Sequence, residues 1–124
     1  LLAFVVEDSP VIQENLIAAL EEMAPVKVVG TAVDQSGALT WLSDDGNRCD
    51  IAIIDIFLRQ GSGMGVLRAL HAAGAPFERV VLTNYATADI RRQCLALGAS
   101  AVFDKSGEID ALVDHCVARA SRPA

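Results

Sequence analysis

An apolar run interrupted by one carboxylate decides the fold: Ile51-Ala52-Ile53-Ile54-Asp55-Ile56-Phe57-Leu58. A run this short and rich in isoleucine predicts a strand buried on both faces, which is typical of the centre of a parallel sheet. Because an ionised aspartate is costly to bury, we expect Asp55 at the C-terminal end of the strand, where water, a cation or a ligand reaches it. Ligands bind at that edge of open α/β sheets. Taken alone, a strand-ending aspartate equally well starts a turn.

Composition limits the size and the chemistry of the protein. The chain has 124 residues, which fits a single domain over 1–124 with a real core. Hydrophobic residues make up 52% and aromatic residues only 5%, so aliphatic side chains must build that core. The net charge of −6 argues against direct nucleic-acid binding, which needs a basic patch.

Nothing in the sequence indicates membrane insertion or export. No apolar run approaches the length that spans a bilayer, and residues 1–6 lack the basic flank and cleavage site of a leader peptide. The first residue is not methionine, which indicates a trimmed or excised segment. Cys49, Cys94 and Cys116 are widely spaced, which favours reduced thiols of a cytoplasmic protein over disulfides or a metal site.

Strands and helices alternate along the whole chain. Strands are predicted at residues 2–6, 26–33, 50–55, 79–83 and 100–103, with Gly30 as an irregularity in the second. Helices are predicted at 10–23 and 35–42, from the glycine-bearing loop 59–65 to 73, from 84–87 to 97, and at 108–120. Ser9 is a good N-cap before Pro10 at the first helical position, and Gly74 suits a C-cap. The alternation predicts one α/β domain, a five-stranded parallel sheet with helices on both faces.

Polar side chains end four of these strands. Glu7 and Asp8 follow the first strand, Asp55 the third, Thr83 ends the fourth and Lys105 follows the fifth. Three carboxylates brought to one edge would repel one another and raise one another's pKa values unless a cation were present. Oxygen ligands suit a hard ion such as Mg²⁺. A hydroxyl and a mobile ammonium group suit an oxyanion arriving at that ion.

With these residues in place, the sequence resembles the receiver domain of two-component response regulators over essentially its whole length. The resemblance rests on the acidic pair Glu7-Asp8, on Asp55, on Thr83 and on Lys105, each after the expected strand and at separations ordinary for the family. Each residue alone is a weak signal, whereas all five in order are a strong one. The resemblance implies the flavodoxin-like strand order 2-1-3-4-5.

The resemblance also implies a phosphoacceptor switch rather than an enzyme. Asp55 would take a phosphoryl group from a phosphohistidine on a partner histidine kinase or phosphotransfer protein. Asp8 and Asp55 would bind Mg²⁺ (or Mn²⁺) directly, Glu7 would bind it through water, and the backbone carbonyl of Phe57 would complete the protein ligands. The physics agrees, because a carboxylate can act as a nucleophile and phosphoryl transfer depends on positioning and charge neutralisation.

The same resemblance assigns the phosphoryl-binding groups and the output. Lys105, the Thr83 hydroxyl and the backbone N–H of Asn84 would bind the phosphoryl oxygens. Drawing Thr83 inward would shift the loop before the fourth helix, and partners would detect the change on the face of helix four, strand five and helix five. A homodimer through helices four and five is compatible with this arrangement.

Four positions depart from the commonest family sequence. Arg59 replaces a usual proline, which suggests a less rigid loop. Ser106 follows Lys105 where proline is common; we predict the family's cis bond there, although cis before serine costs about 3 kcal/mol. Val102 occupies the switch position, where many members carry a movable Tyr or Phe. Asn84 is larger than the usual small residue and is expected to crowd the phosphoryl pocket.

Phe57 and Tyr85 stand two residues after Asp55 and Thr83. In receiver domains these two side chains flank the path of the hydrolytic water. Two aromatic rings there would shield the acyl phosphate, so we hypothesise a long-lived phosphorylated state. The alternative is that Phe57 packs on its loop and Tyr85 points to solvent.

Three other interpretations compete with this one. A haloacid dehalogenase-like phosphatase needs a second aspartate where this chain has Phe57. A flavodoxin-like carrier needs a hydroxyl-rich loop where this chain has the repelling pair Glu7-Asp8. A receiver-like adaptor that binds partners without phosphorylation stays open, because Asn84 and Val102 depart from the pattern. The kinase, the output and the presence of an effector domain are left open.

The remaining polar residues have ordinary explanations. His71 and His115 are expected on helix surfaces, and Arg91-Arg92 on a solvated helix face, with a partner contact as the alternative. The stretch Gly61-Ser62-Gly63 lacks the lysine of a P-loop and does not open from a strand.

Overall fold

The computed structural model describes residues 1–122. Five parallel strands form one sheet in the order β2-β1-β3-β4-β5, which confirms the predicted architecture. The strands are β1 Leu2–Val6, β2 Lys27–Ala32, β3 Ile51–Ile54, β4 Glu78–Thr83 and β5 Ala101–Asp104. The helices are α1 Pro10–Met23, α2 Gln35–Leu42, α3 Gly63–Ala73, α4 Ala88–Ala96 and α5 Ile109–Ala120.

The helices begin and end where local chemistry dictates. Ser9 caps α1 by accepting a hydrogen bond from the Ile12 N–H at 3.4 Å, and proline takes the first helical position. Gly74 ends α3 with φ 65°, a left-handed conformation that costs glycine little. Among the described residues, no helix combines the length and the apolar character that crossing a membrane would require.

The sheet separates two apolar layers, and side chains of the central strands alternate between them. Val5, Ile53 and Leu82 pack towards α1 and α5. Phe4 and Ile54 pack on the other face, towards α2, α3 and α4. Because β1 and β3 are covered on both faces, their residues 3–6 and 51–54 are nearly inaccessible to solvent.

The second strand contains the irregularity that the sequence predicts at Gly30. The irregularity expected near Gly30 exists as a break in the β1–β2 register, where Ala3 pairs with Val28 but Phe4 pairs with Gly30. The Trp41 ring stacks on Phe4 with centroids 4.4 Å apart, and a Cβ at Gly30 would strike that indole. The absence of a side chain therefore makes room for the tryptophan.

Two predictions about loops are wrong. The loop expected over 59–65 ends early, because Ser62 accepts a hydrogen bond from the Gly65 N–H at 2.9 Å and so caps a helix that starts at Gly63. The Lys105–Ser106 bond is trans, not cis. Trans is the cheaper isomer before a non-proline residue, and the Ser106 N–H donates to the Asp104 carboxylate at 2.8 Å.

Candidate functional site

The site lies at the C-terminal edge of the sheet. Glu7 directly follows β1, and Asp55 directly follows β3, its neighbour in the sheet. Thr83 is the last residue of β4, paired with Asp104 of β5, and Lys105 comes next. Parallel strands all end at the same edge, so the fold gathers side chains that lie far apart in the sequence.

Three carboxylates form a compact cluster there. One oxygen from each of Glu7, Asp8 and Asp55 lies within 4.8 Å of the other two. Glu7 and Asp55 are only 2% and 6% exposed, whereas Asp8 is more accessible and faces Arg59 at 3.9 Å. The Lys105 ammonium donates to Asp55 Oδ2 at 2.8 Å and also contacts Glu7 Oε1. A cation thus already partly neutralises the cluster.

Burial and charge act in opposite directions on these groups. Desolvation raises the pKa of Glu7, and the opposing hydrogen bonds from Lys105 and from the Ser9 N–H do not cancel it. For Lys105, burial works against the charged form, but hydrogen bonds to Asp55 and Glu7 raise its pKa. The ammonium therefore stays charged at neutral pH, and the carboxylates have less positive charge near them than they need.

This donor set fits a hard divalent cation. It consists of carboxylate oxygens alone, close together, with Asp8 open to solvent on one side. Mg²⁺ and Mn²⁺ prefer such oxygens, and Mg²⁺ keeps several waters, for which the open side leaves space. A divalent cation would add its charge to those of Lys105 and the exposed Arg59, and would relieve the repulsion that remains among the three carboxylates.

Backbone hydrogen bonds hold Asp55 and the next residue, Ile56. Its N–H donates to the Val6 carbonyl at 3.0 Å, and the Gly63 N–H donates to the Ile56 carbonyl at 2.9 Å. A Cβ at Gly63 would strike the Asp55 carbonyl group and lie 2.8 Å from the Ile56 Cα. Sequence reasoning treated Gly63 as a loop residue, and only the strand-to-helix contact shows that its lack of a side chain positions the site.

Gln35 is a second residue that sequence reasoning missed. Its carboxamide oxygen accepts a hydrogen bond from the Ser62 N–H at 2.9 Å, so α2 supports the loop in front of α3. The Cβ atoms absent at Gly61 and Gly65 would collide with the same carboxamide. The sequence signal was the pair Gly61 and Gly65, whose missing side chains leave room for a neighbouring side chain.

Thr83 is fully buried, and its hydroxyl oxygen accepts a hydrogen bond from the Tyr85 N–H at 3.2 Å. The Lys105 N–H donates to the Thr83 carbonyl at 3.0 Å, which ties the ends of β4 and β5 together. The Asn84 side chain is exposed, so the expectation that it crowds the phosphoryl pocket is wrong. Asn84 instead lines a cleft of about 400 Å³ together with Lys105 and residues of α1.

Phe57 and Tyr85, two residues after Asp55 and Thr83, contact each other. Their rings pack edge to face, with centroids 4.9 Å apart and an interplanar angle of 71°. They are 50% and 60% exposed, so the pair lies at the surface rather than in the core. Each ring packs against the other while its outer side stays in water, and the shielding of an acyl phosphate stays a prediction.

Two expectations about ordinary surface residues are wrong. Arg92 is solvated as predicted, at 74% side-chain exposure, but Arg91 folds back onto β5 and α5. His115 is half-buried and shares a 2.6 Å hydrogen bond with Glu78, whereas His71 is exposed.

Val102 is buried in the core, and its aliphatic side chain offers no ring to move.

Comparison with known proteins agrees with this geometry. The family model described as "Response regulator receiver domain" matches residues 3–116. No curated protein matches the sequence. The receiver domain of the Francisella response regulator 1452 is 20% identical, with 97% of this chain and 98% of that chain covered and a TM-score of 0.83.

Two further solved structures share the fold. The receiver domain of the putative response regulator NarL from Mycobacterium tuberculosis is 24% identical, with coverages of 98% and 97% and a TM-score of 0.79. The CheX-CheY-BeF3-Mg complex from Borrelia burgdorferi contains a chain 16% identical, with coverages of 98% and 90% and a TM-score of 0.84. These neighbours show the fold, and the family model covers most of the sequence, so this chain belongs to the response regulator receiver domain family of two-component signalling.

Proposed function

We propose that residues 1–124 form one receiver domain that works as a phosphoacceptor switch, with Asp55 as the acceptor. The observation that carries the proposal is the nearly buried Asp55 carboxylate, in contact with Lys105 and close to two further carboxylates at the sheet edge. An Asp55 oxygen would attack the phosphorus of a phosphohistidine on a histidine kinase or phosphotransfer protein. The new P–O bond would form as the P–N bond breaks, and the departing imidazole would take a proton from solvent.

The carboxylates would hold the divalent cation. Asp8 and Asp55 would bind it directly, Glu7 through water, and the Phe57 carbonyl would be the fourth protein group. Bound Mg²⁺ or Mn²⁺ would supply positive charge next to the phosphoryl oxygens. The chain's own part is to position the carboxylates. For Asp55, the hydrogen bonds from its own N–H to Val6 and from the Gly63 N–H to Ile56 support this positioning.

Three groups would receive the phosphoryl oxygens. Lys105 already touches Asp55, Thr83 ends the adjacent strand, and the Asn84 N–H follows in the chain. The Thr83 hydroxyl now accepts a hydrogen bond from the Tyr85 N–H. To reach a phosphoryl oxygen, the side chain would have to turn and give up this hydrogen bond. The loop before α4 would move with it, and the face of α4, β5 and α5 would change.

Phe57 and Tyr85 would set the lifetime of the acyl phosphate. Their rings form an edge-to-face pair, which would stand in the path of a hydrolytic water. We expect a Phe57→Asn, Tyr85→Glu double variant to lose its phosphoryl group faster than the parent, because polar side chains admit and orient water. Equal decay rates in the two proteins would rule out shielding.

The proposed setting follows from the family role. The domain would act in the cytoplasm, where the three cysteines, all free in this structure, would stay reduced. It would signal rather than turn over a substrate, and neither nucleic acid nor membrane would be its direct partner. Leu95 on α4 and Val117 on α5 are exposed apolar residues that would suit a homodimer through these helices.

The decisive experiment is intact mass spectrometry after incubation with acetyl phosphate and Mg²⁺, with Asp55→Asn as the control. We expect a gain of one phosphoryl group in the parent, absent from the variant and absent without the metal ion. If no adduct forms, binding of beryllofluoride separates poor use of this donor from an inactive site. Failure of both would refute the phosphoacceptor function and favour the adaptor.

A further inference from the structure

Arg91, in the first turn of α4, contacts three parts of the molecule at once. Its Nε donates to the Ala86 carbonyl at 3.1 Å, its Nη1 to the Val102 carbonyl at 2.7 Å, and its Nη2 to Glu108 Oε1 at 2.6 Å. Ala86 belongs to the loop between β4 and α4, Val102 to β5, and Glu108 stands directly before α5. One guanidinium therefore joins the loop before α4 to β5 and to the start of α5, whose contact residues follow Arg91 by 11 and 17 positions.

Glu108 extends this connection towards the site. The oxygen that accepts from Arg91 also accepts from the Asp104 N–H at 2.9 Å. Asp104 is the residue before Lys105, whose ammonium contacts Asp55. The hydrogen bonds from Arg91 and from the Asp104 N–H lower the pKa of Glu108, so its carboxylate stays charged at neutral pH.

The other end of the connection lies next to the phosphoryl-binding residues. The Tyr85 N–H donates to the Thr83 hydroxyl, and Ala86 follows Tyr85. A movement of Thr83 that broke this hydrogen bond would free Tyr85, the residue next to Ala86. Since Arg91 binds the Ala86 carbonyl, a shift of that carbonyl would reach the guanidinium and, through it, Val102 and Glu108.

Val102 cannot carry such a signal through its side chain. The side chain is aliphatic and buried in the core, with no polar end to exchange partners. We propose that Arg91 is the positioning residue that couples the loop between β4 and α4 to β5 and the start of α5. The proposal rests on the phosphoacceptor function of Asp55.

The chain supplies a matched control in Arg92. It is the next residue of the same helix and carries the same charge, but its guanidinium pairs with Asp89 within α4 at 2.9 Å. Arg91→Met and Arg92→Met remove the same charge and the same donors from neighbouring positions. Only the first breaks contacts to β5 and α5, so a difference between them reports those contacts and not the net charge.

The test measures hydrogen–deuterium exchange of the full chain with and without beryllofluoride and Mg²⁺. In the parent and in Arg92→Met, we expect loading to change exchange in both the 84–90 segment and the 109–116 segment of α5, which excludes the phosphoryl-binding Lys105. In Arg91→Met, the change at 84–90 should persist while that at 109–116 shrinks at least about threefold, within the range for coupling residues. Glu108→Gln should reproduce this loss, because it weakens the same contact.

Arg91→Lys keeps the charge but not the fork that reaches three acceptors, so it should also lose the response at 109–116. It keeps the test valid if Arg91→Met melts too low to study. An unchanged response at 109–116 in both Arg91 variants, or no response there in the parent, overturns the coupling alone. A parent that neither gains a phosphoryl group nor binds beryllofluoride overturns the phosphoacceptor function and the coupling with it.

Discussion

Replacing Gly63 with alanine tests whether the close approach of α3 to the phosphoacceptor strand holds the site together. Gly63 is the first residue of α3, where helix propensity favours alanine over glycine by at most about 1 kcal/mol. The added Cβ, however, would lie 2.7 Å from the Asp55 carbonyl carbon, and real Cβ contacts are essentially never shorter than 3.0 Å. The obstacle is backbone of a buried strand end, which cannot rotate away as a flexible side chain can.

The two effects have opposite signs, and their sizes decide the outcome. Overpacking in a rigid environment costs about 1–3 kcal/mol, and a collision with backbone belongs at the upper end. After the propensity gain is subtracted, we expect Gly63→Ala to lose about 2 kcal/mol of unfolding free energy. With a urea dependence of about 1–3 kcal/mol per molar, the unfolding midpoint should fall by about 1 M.

Urea unfolding of Gly63→Ala beside Gly107→Ala measures this difference. A Cβ at Gly107 meets nothing within 4 Å, and Gly107 is not among the glycines with positive φ, so the control should stay within about 0.5 kcal/mol of the parent. Because the collision displaces Asp55, phosphorylation by acetyl phosphate should also slow, by as much as about 100-fold for a shift near 1 Å. A Gly63→Ala protein as stable as the parent would refute the reasoning.

Three further predictions follow from the charged groups. Mg²⁺ at about 100 times its dissociation constant should stabilise the parent by about 2.7 kcal/mol, and Asp8→Asn should show a smaller rise in thermal midpoint at the same concentration; equal rises would exclude Asp8 as a ligand. Because burial raises the pKa of Glu7 above its usual 4.5, ionisation destabilises the metal-free fold as pH rises through that pKa. Glu7→Gln should therefore be more stable than the parent in urea at neutral pH without Mg²⁺, and the gap should close in acid. Burial acts to raise the pKa of Glu78, but hydrogen bonds from Ser100 and His115 outweigh it and lower that pKa below 4.5. Above pH 4.5 the parent should therefore be more stable than Glu78→Gln in urea unfolding. The parent should lose this advantage as pH falls through the lowered pKa, and a stability difference independent of pH would contradict the prediction.

The architecture was predictable because each strand and helix carries its own local signal. The isoleucine run, the Ser9-Pro10 cap and the Gly74 stop depend on residues adjacent in sequence, and the structure confirms the elements they predict. The roles of single residues depend more on contacts between distant segments. Ser62 caps α3 through a local hydrogen bond, but only the folded structure shows that Gly63 lets this helix approach the Asp55 backbone.

The candidate site could also be predicted only in part. The acidic pair, Asp55 and Lys105 could be predicted because charged residues follow three different strands in the expected order, although each residue alone is a weak signal. Arg91 gave no such signal, since a charged residue on an amphipathic helix is expected in solvent and its neighbour Arg92 lies there. Two of the three acceptors of Arg91 are backbone carbonyls, which every residue has, so no residue type at 86 or 102 marks them as partners. A contact of this kind leaves residues 86 and 102 free to vary, and a chain with valine at 102 still joins α4 to β5 through a main-chain oxygen.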